Sequence, residues 1–203
     1  MEFTARRSAQ IAATLLIAIV VTQLVYFALS SAGMDINRMI IWTTEAVAFL
    51  GISVFAMIPL ARGSQFSAAW AAIAVGGMLN VIQVGMGLAM FGPVKDAGEA
   101  MAPAFQAILA GAFFLYFTGK FLFAAASIVI GLGLFREAKA AAKFAGVLAI
   151  VGGIAALLVN LYAMAVGMDA VFLAGATGTA ATLFLGFAII AANVRAREPA
   201  AVD

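Results

Sequence analysis

The sequence predicts an all-α fold: a polytopic membrane bundle of six transmembrane helices with a cytoplasmic N-terminus and a cytoplasmic C-terminus. Of the 203 residues, 66% are hydrophobic and 10% are charged, whereas a soluble domain has about 45–50% apolar and about 25% charged residues. A water-soluble fold is excluded, because so few polar residues cannot cover so large a core. The lengths of the hydrophobic runs and the positions of Lys and Arg between them supply the rest of the prediction.

Six apolar runs follow one another along the chain. A helix crosses the hydrocarbon core with about 20 mostly apolar residues. Runs of at least that length cover residues 10–29, 39–60, 66–91, 105–135, 144–167 and 171–193. The fourth run is long, so it is tilted or extends beyond the hydrocarbon. None alternates apolar and polar residues, so membrane strands are not expected, and residues 1–203 form a single integral membrane domain.

Positive charges orient the six spans. With the N-terminus inside, the cytoplasmic segments carry Arg6, Arg7, Arg62, Arg136, Lys139, Lys143, Arg195 and Arg197. The outer loops carry only Arg38 and Lys95. This excess of Lys and Arg on one side follows the positive-inside rule, and an even number of spans returns the C-terminus to the cytoplasm.

Two absences narrow the chemistry. The chain contains no Cys and no His, which removes thiol redox centres, the usual haem ligands, zinc sites of the Cys/His type and Ser–His triads. No metal site and no cofactor are therefore expected. The net charge of +2 comes from few ionisable groups, so nucleic acid is not an expected partner.

Two ionisable residues of opposite sign lie within the spans, Glu45 in the second and Lys120 in the fourth. A charged side chain at the bilayer centre costs about 2.5–3.5 kcal/mol on insertion scales. From the helical rise, Glu45 lies about 7 Å to the outer side of its span's midpoint, and Lys120 lies near its own midpoint. A Lys side chain can extend several ångströms along the helix, so the two groups can meet in the outer half of the bundle.

Amide and hydroxyl side chains fall at a similar depth. Asn80 lies near the centre of its span, and Gln83 lies about 7 Å outward. Gln23, Asn160 and Thr177 have a similar outward position. Several of these groups share a helical stripe with Gly or Ala, which indicates packed faces turned into the bundle. Each span therefore contributes a polar group to one layer.

Several members of this layer have a structural alternative. Asn160, Thr177, Thr179 and Thr182 are more typical of interhelical hydrogen-bond partners, and Gln23 could instead face the outer interface. For Glu45 and Lys120 a functional site is favoured over a structural ion pair, because apolar residues would hold two helices together as well. Tyr116 shares a face with Lys120, and Trp42 shares one with Glu45. The predicted binding residues are Glu45, Lys120, Asn80, Gln83, Asn160, Gln23, Tyr116 and Trp42.

The fourth span is rich in phenylalanine. These side chains are expected to contact lipid rather than to form a ligand cage; they are Phe113, Phe114, Phe117, Phe121 and Phe123.

Three segments stand out along the chain: residues 38–47, with Glu45 early in the second span, residues 127–136 at the Gly-rich end of the fourth span, and residues 146–153. Together they resemble a bacterial family of six-span membrane proteins of unknown function. The resemblance covers about a third of the chain, and the loop at residues 140–143 lacks the Pro that the family often has there. It implies the six-span topology, a place in the bacterial inner membrane and a family position at Glu45. It implies no activity.

Three functions remain open. The leading hypothesis is a buried polar pocket that binds or transports a small solute or ion, with Glu45 as the charged ligand and Lys120 as its counter-charge. The second is an accessory or substrate-binding subunit of a larger membrane complex, with a membrane-protein partner or a homo-oligomer. A membrane-embedded enzyme is third, because no nucleophile motif or metal-ligand spacing accompanies the charged pair.

Overall fold

The computed structural model describes residues 3–34, 37–136 and 139–195. Among these residues there are long α-helices, two short 3₁₀ turns and no strand. The helices are α1 (Ala5–Ser31), α2 (Arg38–Ala61), α3 (Ser67–Asp96), α4 (Ala102–Phe135), α5 (Ala140–Val166) and α6 (Val171–Arg195). The 3₁₀ turns, Glu99–Met101 and Gly167–Ala170, precede α4 and α6. The prediction of a helical bundle is confirmed.

Five helical segments of the described chain are long and apolar enough to cross a membrane. They are Ala5–Ser31, Arg38–Ala61, Ser67–Asp96, Glu99–Phe135 and Ala140–Asn193. The last segment is 54 residues long and contains both α5 and α6. The chain therefore has the helices of a membrane protein.

Local sequence explains where several helices begin and end. Thr4 caps α1 by accepting a hydrogen bond from the backbone N–H of Arg7 at 3.2 Å, and Asn37 caps α2 in the same way. Gly167 follows α5 with a φ of 74°, a left-handed conformation that glycine adopts without the steric cost of a side chain. Helix α3 continues through Pro93 to Asp96, so the connection to α4 is shorter than the hydrophobic pattern suggests.

The helices are arranged as a ring with one helix outside it. Contacts between neighbours join α1, α2, α3, α4 and α6 into a closed ring of five, because α1 packs on α6 and α4 also packs on α6. Helix α5 packs against α4 and α6 from outside this ring.

Consecutive helices are antiparallel. Between α1 and α2, Leu15 contacts Gly51 while the later Thr22 contacts the earlier Glu45. Between α2 and α3, the contacts of Trp42 with Gly87 and of Ser53 with Gly77 run in opposite order in the same way. We call the end of the bundle where α1 begins the Arg6 end, and the opposite end, where α1 finishes, the Ser31 end.

Glycines set the close approach of helices in this bundle. A β-carbon at Gly131 would lie 2.8 Å from the carbonyl oxygen of Gly146, and one at Gly153 would lie 2.9 Å from that of Ala124. Distances this short mean that the backbones of α4 and α5 are nearly in contact. Association of helices in lipid depends on such packing, because the surrounding acyl chains are as apolar as the helices.

The phenylalanines of α4 do not all face lipid. Phe117 is 1% exposed and Phe123 is fully buried, so the prediction of lipid contact is wrong for these two residues. Phe123 packs on Phe49 of α2 with a ring-centroid distance of 6.4 Å, and a β-carbon at Gly76 would come within 2.9 Å of it. Phe114 is 51% exposed, as predicted. The small residue on α3 makes room for the large one on α4, which hydrophobicity alone does not reveal.

Candidate functional site: a polar network inside the helix ring

Lys120 of α4 is fully buried inside the ring. Its Nζ donates hydrogen bonds to Gln23 Oε1 at 3.1 Å and to Thr182 Oγ1 at 3.2 Å. The same ammonium lies 5.5 Å from the ring centroid of Tyr116, one turn earlier on α4, within the range of a cation–π contact. Three helices, α1, α4 and α6, therefore meet at one cationic group.

Glu45 of α2 is 9% exposed. It lies beside α1, next to the side of α1 that contacts Lys120. Its Oε1 accepts a hydrogen bond from the hydroxyl of Thr22 at 2.9 Å. The same hydroxyl also lies 2.8 Å from the carbonyl oxygen of Ile19. Glu45 is thus connected to α1, as Lys120 is, through the residue next to Gln23.

The two charged groups do not form a direct ion pair. Within the described chain, no oxygen of Glu45 lies within 4.0 Å of the Lys120 nitrogen. Gln23 is the centre of the arrangement, because its Oε1 also accepts a hydrogen bond from Thr179 of α6 at 2.8 Å. We call this set the Gln23 network: Thr22, Gln23, Glu45, Tyr116, Lys120, Thr179 and Thr182.

The Gln23 network attaches the last part of α1 to the bundle. The buried residues of α1 end at Val20, and Val21, Leu24, Val25 and Phe27 are 45–57% exposed. Beyond Val20, the described interhelical contacts of α1 include the hydrogen bonds of Thr22 and Gln23 and a ring contact of Phe27 with Phe172 at 6.2 Å. Polar contacts, rather than buried side chains, therefore position this segment relative to Glu45 and Lys120.

Asn80 lies on the inner side of α3 and is fully buried. Its Nδ2 donates to the carbonyl oxygen of Gly76 at 2.8 Å, while its Oδ1 is buried without a hydrogen-bond partner. A β-carbon at Gly119 would overlap the Asn80 amide, so Asn80 packs beside the residue that precedes Lys120. A buried acceptor without a partner has a desolvation cost, and a bound molecule or ion could offset that cost.

Three predicted binding residues lie away from the network. Asn160 is buried between α5 and α6, where its Nδ2 donates to the carbonyl oxygens of Ala156 and Ala174 and its Oδ1, like that of Asn80, has no hydrogen-bond partner. Trp42 packs over Gly87, 3.0 Å from where a β-carbon would be. Gln83 is half-buried on α3 and makes no hydrogen bond within the described chain. The structure brings together Gln23, Glu45, Lys120 and Tyr116, and places Asn80 one helix away.

Thr22 is the network residue that the sequence analysis missed. It lies about 100° around α1 from Gln23, so its adjacency in sequence does not put it on the same face. Its link to Glu45 depends on the packing of α1 against α2. A Thr at about the depth of a buried carboxylate on the next helix is the only signal that the sequence offers.

Unused hydrogen-bonding capacity remains in this part of the ring. An ammonium has three donors and a carboxylate has two acceptor oxygens, and the described hydrogen bonds use two donors of Lys120 and one oxygen of Glu45. Asn80 adds a free acceptor. The described residues contain no group of three or more His, Cys, Asp or Glu that could hold a metal ion. Two surface grooves, one beside Lys95 and one beside Thr43, are not lined by network residues.

Comparison of the chain with protein-family models, with curated proteins and with solved structures gave no match.

Proposed function

We propose that this protein binds or transports a small solute or ion inside its five-helix ring, with Glu45 and Lys120 as the charged groups that recognise it. One observation carries the proposal: two buried groups of opposite charge are each hydrogen-bonded to a neutral side chain of α1, and not to each other. A buried charge in a membrane-spanning helix is costly and marks a functional site by default.

A purely structural role explains this arrangement less well. A structural ion pair recovers the cost of burial through a short contact between its two charges. Glu45 and Lys120 forgo that contact, and each keeps at least one unused donor or acceptor. Charges held apart in this way remain able to pair with a ligand. In this proposal Gln23 and Tyr116 orient Lys120, and the free carbonyl of Asn80 is a neutral acceptor for the same ligand.

We also propose that the chain spans the membrane six times, with both termini in the cytoplasm of a bacterial inner membrane. The 54-residue apolar segment that contains α5 and α6 would extend about 80 Å if it were straight. Instead α5 packs on α6, and Asn160 bonds to Ala174 across the turn at Gly167. Two antiparallel spans fit these contacts and the excess of Lys and Arg on one side. The family resemblance, which implies the same topology, stays a prediction.

The topology can be measured without removing native thiols, since the chain has no Cys. Met168→Cys, in the turn between α5 and α6, should react with a membrane-impermeant maleimide added to intact cells. Lys143→Cys, at the other end of α5, should react only after the membrane is opened. Labelling of both positions from the same side would contradict a crossing of the membrane by α5, and with it the six-span topology.

The binding function is tested with Glu45→Gln and Lys120→Met. We expect the wild-type protein in liposomes to move protons, sodium ions or a zwitterionic amino acid, measured with an internal pH dye and with labelled solutes. Each variant should lose that flux while its yield and elution volume stay unchanged. A parallel assay measures thermal stabilisation of the detergent-solubilised protein by the same probes.

Thr118→Val is the matched control, because Thr118 lies two residues from Lys120 but bonds to Phe114 and Met164 instead of the network. We expect it to keep the wild-type flux. Equal loss in Thr118→Val and Lys120→Met would contradict the proposal, as would wild-type protein that neither moves nor is stabilised by any probe. Loss of folded protein in both charge variants would instead favour a structural role for the two charges.

The alternative of an accessory subunit has weaker support. It relies on small-residue faces as docking surfaces for another membrane protein. Several of the glycines in question are already used inside the chain, where Gly77 packs on Ser53, Gly146 on α4 and Gly186 on α1. Native mass measurement in mild detergent separates the two functions, because an accessory subunit should retain a partner chain. The enzyme alternative rests on the Glu–Lys pair alone.

A further inference from the structure

In the described chain, four buried side-chain donors at the Arg6 end of the bundle have no hydrogen-bond partner. Two are the hydroxyls of Ser8 and Ser64. The other two are nitrogens at the ends of two neighbouring helices: Nη2 of Arg6, in the first turn of α1, and Nδ2 of Asn193, in the last turn of α6. An unsatisfied buried donor is unfavourable, and most of all when it is charged. Neither residue belongs to the Gln23 network, which lies in the other half of α1.

Helical register puts these two donors opposite each other. Gly186 of α6 packs on α1, where its β-carbon position lies 3.3 Å from the carbonyl oxygen of Ala13 and 2.9 Å from Ile17. Arg6 precedes Ala13 by seven residues, and Asn193 follows Gly186 by seven. Seven residues are about two turns, so each residue lies on the same face as the contact. Because α1 and α6 are antiparallel, the two side chains reach the same level of the α1–α6 seam.

The charged side chains that the structure describes at this end of the bundle are basic. Among the described residues, the acidic side chains outside the network are Asp96, Glu99 and Asp169, and each lies in a connection or helix end at the Ser31 end. No described carboxylate is therefore available to pair with Arg6. The apolar part of α1 begins a few residues after Arg6, so the seam opens at the depth of the lipid headgroups.

We propose that the α1–α6 seam binds the phosphate of an anionic membrane lipid between Arg6 and Asn193. A phosphate oxyanion is the acceptor that a guanidinium binds best, in a charge-assisted and often bidentate contact. The amide of Asn193 adds a neutral donor from the second helix. Basic sites between membrane helices on the side rich in anionic lipid are known places for headgroups. Free inorganic phosphate has the same chemistry but no acyl chains to lie along the exposed apolar helices.

This lipid would join α1 to α6 at the end where their seam lacks a described hydrogen bond. Near the Ser31 end the two helices are linked by the bond of Thr179 to Gln23. A phosphate shared by Arg6 and Asn193 would supply the corresponding link at the Arg6 end. The inference is independent of the proposed solute site, since it involves other residues and another part of α1.

The test compares lipid retention by the full-length protein and three variants. Native mass spectrometry after titration with phosphatidylglycerol or phosphatidylcholine measures the apparent affinity, and inorganic phosphate serves as the headgroup-only probe. We expect wild-type protein to retain phosphatidylglycerol in preference to phosphatidylcholine. Arg6→Gln should weaken this affinity at least tenfold, as expected for loss of a charged donor, and Asn193→Leu should weaken it several-fold. Arg7→Gln is the matched control, because Arg7 has the same charge but is exposed, and it should stay within twofold of wild type.

Several results would overturn the inference. One is equal weakening by Arg6→Gln and Arg7→Gln, which would mean a general effect of positive charge. Another is wild-type protein that retains phosphatidylglycerol no better than phosphatidylcholine. A third is displacement of the lipid by inorganic phosphate at the same concentration, which would mean that the site binds free phosphate. If Arg6→Gln does not fold, Asn193→Leu provides the test, because it keeps the positive charge of Arg6. Unchanged retention of phosphatidylglycerol by Asn193→Leu would contradict the proposed site.

Discussion

Replacing Gln23 with Leu should destabilise the protein by removing the acceptor at the centre of the network. The side-chain oxygen of Gln23 accepts one hydrogen bond from the Lys120 ammonium at 3.1 Å and one from Thr179 at 2.8 Å. A hydrogen bond to a charged group contributes about 1.5–3 kcal/mol, and a neutral one between membrane helices averages about 0.6 kcal/mol. We therefore expect a loss of about 2 kcal/mol or more, which is about 30-fold in the folding equilibrium constant.

The loss should depend on the charge of Lys120, which a double-mutant cycle measures. In a Lys120→Met background, Gln23→Leu removes only the bond to Thr179, so it should cost about 0.6 kcal/mol. Unfolding of the detergent-solubilised protein by a denaturing detergent, followed by circular dichroism, gives the four free energies. Gln83→Leu is the control, because Gln83 is also half-buried but makes no hydrogen bond in the described chain, and it should cost less than about 0.5 kcal/mol. Equal costs of Gln23→Leu in both backgrounds would refute the reasoning.

Three further substitutions test the packing and the second branch of the network. Gly131→Ala should cost about 1–3 kcal/mol in the same unfolding assay, because its β-carbon would lie 2.8 Å from a carbonyl oxygen of α5. The control Gly85→Ala, whose β-carbon would meet nothing within 4 Å, should be neutral or stabilising by up to about 1 kcal/mol. Equal effects of the two substitutions would argue against close contact between α4 and α5. Phe123→Ala, at a fully buried ring, should cost about 3 kcal/mol through the cavity that it leaves, while Phe114→Ala, at a 51% exposed ring, should leave the unfolding midpoint nearly unchanged. Thr22→Val keeps the shape of the side chain but removes the donor to Glu45, so solute flux should fall while the unfolding free energy changes by no more than about 3 kcal/mol; wild-type flux would remove Thr22 from the site.

The hydrophobic pattern located the helices but not their faces. Each predicted apolar run falls within or close to a helix, because a stretch of about 20 apolar residues is what a membrane-crossing helix requires, and such stretches are visible in the sequence. Whether a side chain on such a helix is buried or exposed is decided by the neighbouring helices. Phe117 and Phe123 of α4 are as hydrophobic as Phe114, yet they are buried and Phe114 is exposed. In lipid a residue that faces a neighbouring helix and one that faces acyl chains can be equally apolar, so hydropathy does not separate them.

The candidate site was predicted in part for a comparable reason. Glu45 and Lys120 stood out because charge in an apolar run is rare and costly, and Gln23 because it shares their depth. Asn160 shares that depth as well, but the packing of α5 outside the ring directs it to the backbone of α6. Depth along a helix is a one-dimensional property that counting residues can estimate. The side to which a polar group turns depends on which helices are neighbours.

The sequence by itself determined the class of this protein, the positions of its apolar helices and the presence of two opposite charges among them. These are consequences of composition and of the length of apolar runs, which lipid constrains strongly. Only the tertiary structure decided that Glu45 and Lys120 contact α1 and not each other, through Thr22 and Gln23. That outcome depends on the rotation and register of three helices. Both are set by close packing around glycines, a property of pairs of surfaces that no single stretch of sequence contains.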